Sequence, residues 1–402
     1  MGQPSHSPET RAYDAGMRFA IAIPQVYPDG AFSPDDFRAY FARVEELGVY
    51  ESAWTQEMPL SAAPQLAPLE TMTYAAACTT SLRLGCTVFV TTLHSPVHLA
   101  NAIASLDQLS GGRVEVGVGS GGPRRPFAAF GLSPERYVAR FTEGINLMKA
   151  LWTEPRVTFD GEFFRLSGAF MEPKPFQKPH PRLWFGGSAD AAVRRGVRLC
   201  DGFFGAGSTT TAAFATQVSV ARDALAAAGR REGFGPGEFP VAKRIYIGVG
   251  SGSGSGSGSD SGSRARERMN AALAAMYGQR VPAIEAAVVA GTADECVAGV
   301  RAVIDAGAEL ILFTPLYDLP EQMELIAAEV IPALALSVSG VIGLWRYRSL
   351  ALRGSGADRV PDRLGLHGGE HALEARLGGP VGVREADHAL EGAGRRHGQV
   401  VG

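Results

Sequence analysis

Apolar residues along the chain fall into short continuous runs separated by longer segments of helical period. "MRFAIAIPQ", Met17 to Gln25, is apolar at most positions, the pattern of a strand covered on both faces. "SPDDFRAYFARVEELG" comes next, with Ser33 at an N-cap, Pro34 at the first helical position, acidic residues in the first turn and Gly48 at the stop. The alternation then repeats. "YESAW" reads as a strand, "LETMTYAAACTTS" as a helix, "LRLGCTVFV" as a strand, Pro96 to Leu109 as a helix and "RVEVGVG" as a strand. A helix is expected from Ser133-Pro134 to about Trp152. "VTFDGEFFRL" reads as a hairpin whose Asp160-Gly161 supplies a positive-φ turn. "RLWFGG", "DGFFGAG", "PVAKRIYIGVG" and "AELILF" read as further strands. The helices "SADAAVRRGVRLC", "TAAFATQVSVARDALAAAG", "TADECVAGVRAVIDAG" and "PEQMELIAAEVIPAL" lie between and after them.

This gives about eight strand-then-helix units, which favours a parallel sheet with crossover helices and, at that count, closure into a (β/α)8 TIM barrel of α/β class with a β-hairpin insertion. A doubly wound open sheet is the competing architecture. Two segments break the pattern. "GSGSGSGSGSDSGS", about Gly250 to Ser263, has the composition of a flexible Gly/Ser insertion with nothing to bury. Beyond Leu336 no period is sustained and the chain is rich in Gly, Arg and His. The expected organisation is therefore a disordered extension over 1–16, a barrel over 17–336 and a disordered tail over 337–402. The tail histidines His367, His371, His388 and His397 match no ligand spacing and receive no role.

Composition adds limits. The 402 residues are 46% hydrophobic, enough for a large core, and the net charge of −3 gives no reason to expect nucleic acid or an acidic membrane as partner. Cys78, Cys86, Cys200 and Cys296 form no CxxC pair and no metal cluster, so reduced thiols and no metal are expected. The first residues lack the apolar core of a signal peptide, and no run is long enough to cross a membrane, so a cytoplasmic location is expected.

Gly117 opens G-V-G-S-G-G, which formally satisfies a dinucleotide fingerprint. Such a loop must leave a first strand and open directly into a helix. Here it follows the fourth strand and runs into Pro123 and Pro126, so that reading fails on context. The glycines are expected instead to bring backbone close to a ligand at the C-terminal mouth of a barrel strand.

"LDQLSGGRVEVGVGSG" closely resembles the signature of the bacterial luciferase-like flavin- and F420-dependent oxidoreductases, a (β/α)8 family. "LGCTVFVTTLHSPVHLANAIASLDQLSGGR", "FDGEFFRL…PKPFQKPHPRLWFGGSADAAVRRGVRLCDGFF" and "GTADECVAGVRAVIDAGAELILFTP" are similar to further family segments in family order, over about Met17 to Leu336. The pattern is closer to the branch using the deazaflavin coenzyme F420 than to the luciferases proper. The resemblance implies a ring across the barrel mouth above a non-proline cis peptide at Thr87-Val88, with Gly119, Ser120 and Gly121 beside it. Gly186, Gly187 and Ser188, at a strand end opening a helix, are the expected phosphate site, where a side chain at Gly187 would fill the phosphate's space. Ser208 and Thr209 would add hydroxyl donors. Simple N-capping by Ser188 is the plain alternative.

Trp54 ends the second strand in "SAWTQEM", where the family reads as an aromatic followed by an acid-histidine pair. The acid position holds Glu57 and the histidine position holds Met58. Glu57, if buried, and His94 are therefore the candidate proton-transfer groups, with a salt bridge and a solvated loop as their plain alternatives. His98 and Arg113 are read as structural, Arg113 as an ion-pair residue at the barrel's N-terminal face. The resemblance implies an F420-dependent hydride transfer to or from a small organic substrate. FMN with O2 in a monooxygenase is the alternative, and a catalytically impaired cofactor-binding paralogue is a third reading. The expected partner is a small-molecule substrate, with no nucleic acid and no membrane, and a homodimer is the assembly considered.

Overall fold

The strand Arg18–Ala22 (β1) starts a parallel sheet that closes on itself. Residues 17–27, 32–61, 63–122, 127–235, 237–251 and 258–335 are described by the computed structural model, so the expected extension 1–16, the tail 337–402 and Pro123 and Pro126 lie outside them. The next strands are Ser52–Thr55 (β2), Arg83–Val90 (β3) and Val114–Gly119 (β4), and then an antiparallel hairpin, Val157–Asp160 (β5) with Arg165–Ala169 (β6). Leu183–Phe185 (β7), Gly202–Gly205 (β8), Val241–Val249 (β9), Val289–Gly291 (β10) and Leu310–Thr314 (β11) complete the set. The ring runs β1-β2-β3-β4-β7-β8-β9-β11 and returns to β1, every pairing parallel. β10 joins only the far end of β9, at Ile247 to Val249. Closure excludes the open-sheet alternative and establishes the (β/α)8 barrel.

Pleating sorts the core into two layers, because successive strand residues face opposite ways. Ala20, Trp54, Trp184, Phe204, Ala242, Leu310 and Leu312 fill the barrel interior. Ile21, Val116 and Phe313 face outward and pack with Phe41, Ile103 and other buried helix residues. Each large side chain so buried contributes on the order of 1.5–3 kcal/mol.

The crossover helices are Pro34–Leu47 (α1), Pro68–Cys78 (α2), Pro96–Leu109 (α3), Tyr137–Thr153 (α4), Asp190–Leu199 (α5) and Thr211–Ala227 (α6). Gly258–Tyr277 (α7), Pro282–Glu285 (α8), Ala293–Asp305 (α9) and Leu319–Leu325 (α10) come after them. The capping of α1 matches its sequence: Ser33 Oγ accepts the Asp36 N–H at 3.2 Å, and Gly48 ends the helix at φ 64°.

Several expectations need correction. α4 begins at Tyr137, because the Ser133 hydroxyl accepts the Glu135 N–H in a turn of its own and Arg136 sits in the left-handed region at φ 54°. The hairpin turn does not use a positive φ at Gly161. The Glu143 carboxylate of α4 accepts the N–H groups of Glu162, Phe163 and Phe164, and a Cβ on Gly161 would lie 2.0 Å from Glu143 Oε1. Gly161 is therefore needed for close approach. The Gly/Ser insertion is not a linker throughout: 258–263 are the first turns of α7, Gly250 donates to Gly291 O at 2.8 Å, and 252–257 lie outside the described residues. Arg113 makes no ion pair among the described residues. It donates to the carbonyls of Ala76, Thr79, Leu82 and Ser110, closing the end of α2 onto the barrel's N-terminal face. Among the described residues no helix is long and apolar enough to cross a membrane, and no group of His, Cys, Asp or Glu could hold a metal.

Candidate active site

The site is built where β3 departs from regular pairing. Its register with β4 shifts between Cys86 and Phe89, and the Thr87–Val88 peptide in that bulge is cis, as the resemblance implies. The glycines of "GVGSGG" are explained here. A Cβ on Gly117 would stand 2.1 Å from the Cys86 carbonyl oxygen, and Cβ atoms on Gly119 and Gly186 would meet the Val88 methyls at 2.7 and 2.6 Å. These three glycines make room for the bulge. Gly121 and Gly122 take φ of 77° and 85° and turn the chain outward. The carbonyls of Gly119 and Ser120 accept the hydroxyls of Thr91 and Thr92, which join the end of β4 to the turn after β3.

The bulge also places Val90 and His94. The Val90 N–H donates to Glu57 Oε2 at 2.6 Å, and His94 Nε2 lies 2.7 Å from Glu57 Oε1. Glu57 is 8% exposed and the His94 side chain 28%. A carboxylate only accepts, so Nε2 is the ring nitrogen that donates to Glu57, and Nδ1 is the one left to exchange a proton. The structure thus joins two residues that the sequence offered separately. The carboxylate faces an imidazole although Met58 replaces the one adjacent in sequence. Cys86 lies near the carboxylate, and its thiol is pushed well up by burial, with the Glu57 charge adding. Trp54 is 2% exposed, and its one polar atom donates to Ser52 Oγ at 3.0 Å. Its ring packs edge-on against Trp184 and Phe204, which makes it an apolar floor rather than a proton-transfer group.

At the ends of β7 and β8 the expected phosphate donors are only partly available. Gly186 donates its N–H to Val118 O at 2.9 Å within the sheet. Ser188 is not an N-cap: α5 is capped by Ala189, whose side chain carries no oxygen, so its first-turn N–H groups have no side-chain acceptor at the cap. Ser188 and Ser208 are exposed at this end, and the buried Gln217 donates to the Ser188 carbonyl at 3.3 Å. Gly187 has no left-handed φ, and a Cβ there would meet the Phe185 ring at 2.6 Å, so its smallness serves packing. Thr209 donates its N–H to Ala206 O at 3.1 Å, and the same carbonyl accepts the buried Lys243 ammonium.

Lys243 and its neighbour Arg244 were not singled out from the sequence. The available signal was two consecutive cations in an otherwise apolar strand, "VAKRIYIGV". The Lys243 side chain is buried over Phe214, and burial with the adjacent Arg244 charge lowers its pKa to about 7. Arg244 faces a cleft at the barrel mouth floored by Trp54 and walled by residues such as Ile23, Met276 and Leu316.

Comparison with known proteins gives a family match. The family model described as luciferase-like monooxygenase matches residues 17–254. The chain is 35% identical over 152 residues to an FMNH(2)-dependent dimethylsulfone monooxygenase of Pseudomonas putida, over 37% of this chain and 42% of that protein. It is 37% identical over 180 residues to an F420-dependent glucose-6-phosphate dehydrogenase of Beutenbergia cavernae, over 43% of this chain and 52% of that one. The chain spans about half the length of the curated relatives it matches. Monooxygenase RslO1 from Streptomyces bottropensis superposes with a TM-score of 0.66 at 27% identity, covering 79% of this chain and 99% of that structure.

Proposed function

The chain belongs to the luciferase-like monooxygenase family, and on that premise we propose that it is an oxidoreductase using a deazaflavin of the F420 type on a small organic substrate. The observation that carries this reading is the imidazole of His94 held by a buried carboxylate at the barrel mouth. Such a group serves proton transfer, which argues against an impaired paralogue. A phosphate-bearing cofactor fits the residues present. The alanine-capped N-terminus of α5, Gly187, and the exposed Ser188 and Ser208 form a donor set of N–H and hydroxyl groups, while Thr87, Val88, Gly119, Ser120 and Gly121 border the bulge.

Bound there, a deazaflavin supplies hydride transfer, and reduced FMN supplies activation of O2. The protein's own residues do the rest. His94 takes a proton from a substrate hydroxyl as the carbonyl forms, or returns it in the reverse direction. Glu57 keeps the imidazole in the required tautomer and stabilises the imidazolium. Trp54 and its aromatic neighbours present an apolar floor that excludes water. The FMN reading is favoured by the similarity to an FMNH(2)-dependent enzyme, and the F420 reading by the similarity to an F420-dependent one. Titration of the purified protein with F420 and with FMN, followed by fluorescence, separates them. Tight binding of FMN with no response to F420 overturns the deazaflavin reading, and binding of neither overturns both. A homodimer and a cytoplasmic location belong to the same proposal, the first checked by light scattering.

A further inference from the structure

The mouth cleft contains one charged side chain among its described lining residues, Arg244. It is 8% exposed, and among the described residues no carboxylate lies within ion-pair distance. Its Nε donates to Thr314 Oγ1 at 3.2 Å, and its guanidinium carbon lies 5.0 Å from the Tyr246 ring centroid. No other hydrogen bond of the guanidinium is made among the described residues. The other polar side chains of the lining are already engaged. Gln25 donates to the carbonyls of Gln56 and Leu66 and accepts the Gln56 N–H, and the Thr55 hydroxyl donates to Gly85 O. A buried cation with spare donors in apolar surroundings carries a desolvation penalty that an anion in the cleft would offset. The same cleft is lined by Trp54, Thr55 and Gln56, the residues that lead directly into Glu57.

We propose that Arg244 is an anion-binding residue for the substrate, so that the protein selects small organic molecules with an oxyanion head, such as a carboxylate or sulfonate, on an apolar body. The inference rests on the oxidoreductase reading of the same mouth, and it deepens that reading by naming a substrate class. The planar guanidinium, steadied by Thr314 on one side and Tyr246 beneath, presents its terminal N–H groups in the fork that matches such a head group. Ile23, Met276 and Leu316 supply the wall for the apolar body.

The test uses hexanoate, hexanesulfonate and the neutral hexanamide as probes, measured by calorimetry on the full chain with and without the cofactor it binds. The anions are expected to bind at least about tenfold more tightly than the amide. Arg244→Met, which keeps bulk and removes charge, should reduce that preference to within about twofold, and Arg244→Lys should retain part of it. Arg182→Met, at the opposite end of the barrel, should leave it unchanged. Equal binding of acid and amide by the wild type overturns the proposal without any variant having to fold. Retention of the full preference in Arg244→Met, with its melting curve intact, overturns it as well. A folded Arg244→Met that loses cofactor affinity while keeping the anion preference assigns the arginine to the cofactor instead, which also overturns it. Failure to bind either cofactor, with the anion preference present in the cofactor-free protein, removes the oxidoreductase reading and leaves the anion site standing.

Discussion

His94 Nε2 lies 2.7 Å from one oxygen of Glu57, while the other oxygen of that carboxylate accepts the Val90 N–H at 2.6 Å. The pair joins the loop after β2 to the turn after β3, and the carboxylate fixes which ring nitrogen carries the proton. His94→Gln keeps a polar side chain but removes the base, so kcat should fall by about 10²–10⁴ with cofactor affinity nearly unchanged. Glu57→Gln should lower kcat too, and the double variant should lose far less than the product of the two effects, because the residues act as a unit. Turnover on an accepted substrate, with cofactor titration alongside, decides this. Wild-type kcat in a folded His94→Gln protein would remove the imidazole from the mechanism.

The sequence shows this fold where local chemistry decides it. Ser33, Pro34 and Gly48 bound α1, and Pro96 starts α3, because capping and proline geometry depend on neighbouring residues alone. Contacts between distant segments are not visible in that way. Glu143 replaces a positive-φ turn at Gly161 by accepting three N–H groups from the hairpin, and nothing near Asp160-Gly161 signals it. The start of α7 is hidden by its Gly/Ser composition, although Gly262 packs where a Cβ would stand 2.9 Å from the Thr292 nitrogen. The Glu57–His94 pair was legible only as two separate candidates. Arg244 was legible as a cation in an apolar strand but not as a site residue, because strand periodicity says which face a residue takes and not which charge lacks a partner.

Gly117 and Gly122 separate two roles of glycine in one motif. A Cβ on Gly117 would lie 2.1 Å from Cys86 O and 3.2 Å from Thr87 Cα, both backbone atoms that cannot swing aside. Gly117→Ala should therefore cost several kcal/mol, roughly at or above the usual 1–3 kcal/mol of overpacking, and yield little soluble protein. A Cβ on Gly122 would meet nothing within 4 Å, but the residue takes φ 85°. Gly122→Ala should cost only about 1–2 kcal/mol, the penalty of left-handed backbone. Melting temperatures of the two variants check the order, and a Gly117→Ala protein as stable as Gly122→Ala would show that the bulge does not need the glycine.

Ser188 offers a cleaner probe of the phosphate cradle than Gly187, whose substitution would collide with Phe185. The Ser188 side chain is exposed, and its carbonyl bond from Gln217 does not involve the side chain. Ser188→Asp should leave the melting temperature within a degree or so. It should weaken cofactor binding by roughly 1–3 kcal/mol, about tenfold or more, through repulsion and the loss of a charge-assisted hydrogen bond. Fluorescence titration of wild type and variant measures it. Equal affinities would place the phosphate elsewhere on the mouth.

Lys243 gives the protein a pH dependence that can be isolated. Its ammonium donates to the Ala206 and Arg244 carbonyls, and burial lowers its pKa to about 7, against about 10.4 in an unfolded chain. Between those values the unfolded chain holds a proton that the folded protein has released, so this residue makes stability rise with pH across the window. Below about 7 the folded protein carries the buried charge and its full cost. Lys243→Met keeps the chain length over Phe214 and removes the titration. The loss of the two carbonyl contacts shifts stability by a nearly constant amount, so the informative quantity is the variant-minus-wild-type difference at two pH values. That difference should favour the variant more at pH 6 than at pH 9, by up to about 1.4 kcal/mol per pH unit between roughly 7 and 9 and little below. Denaturant melts at both pH values measure it, and the same difference at pH 6 and pH 9 would mean that the ammonium remains charged in the folded protein throughout.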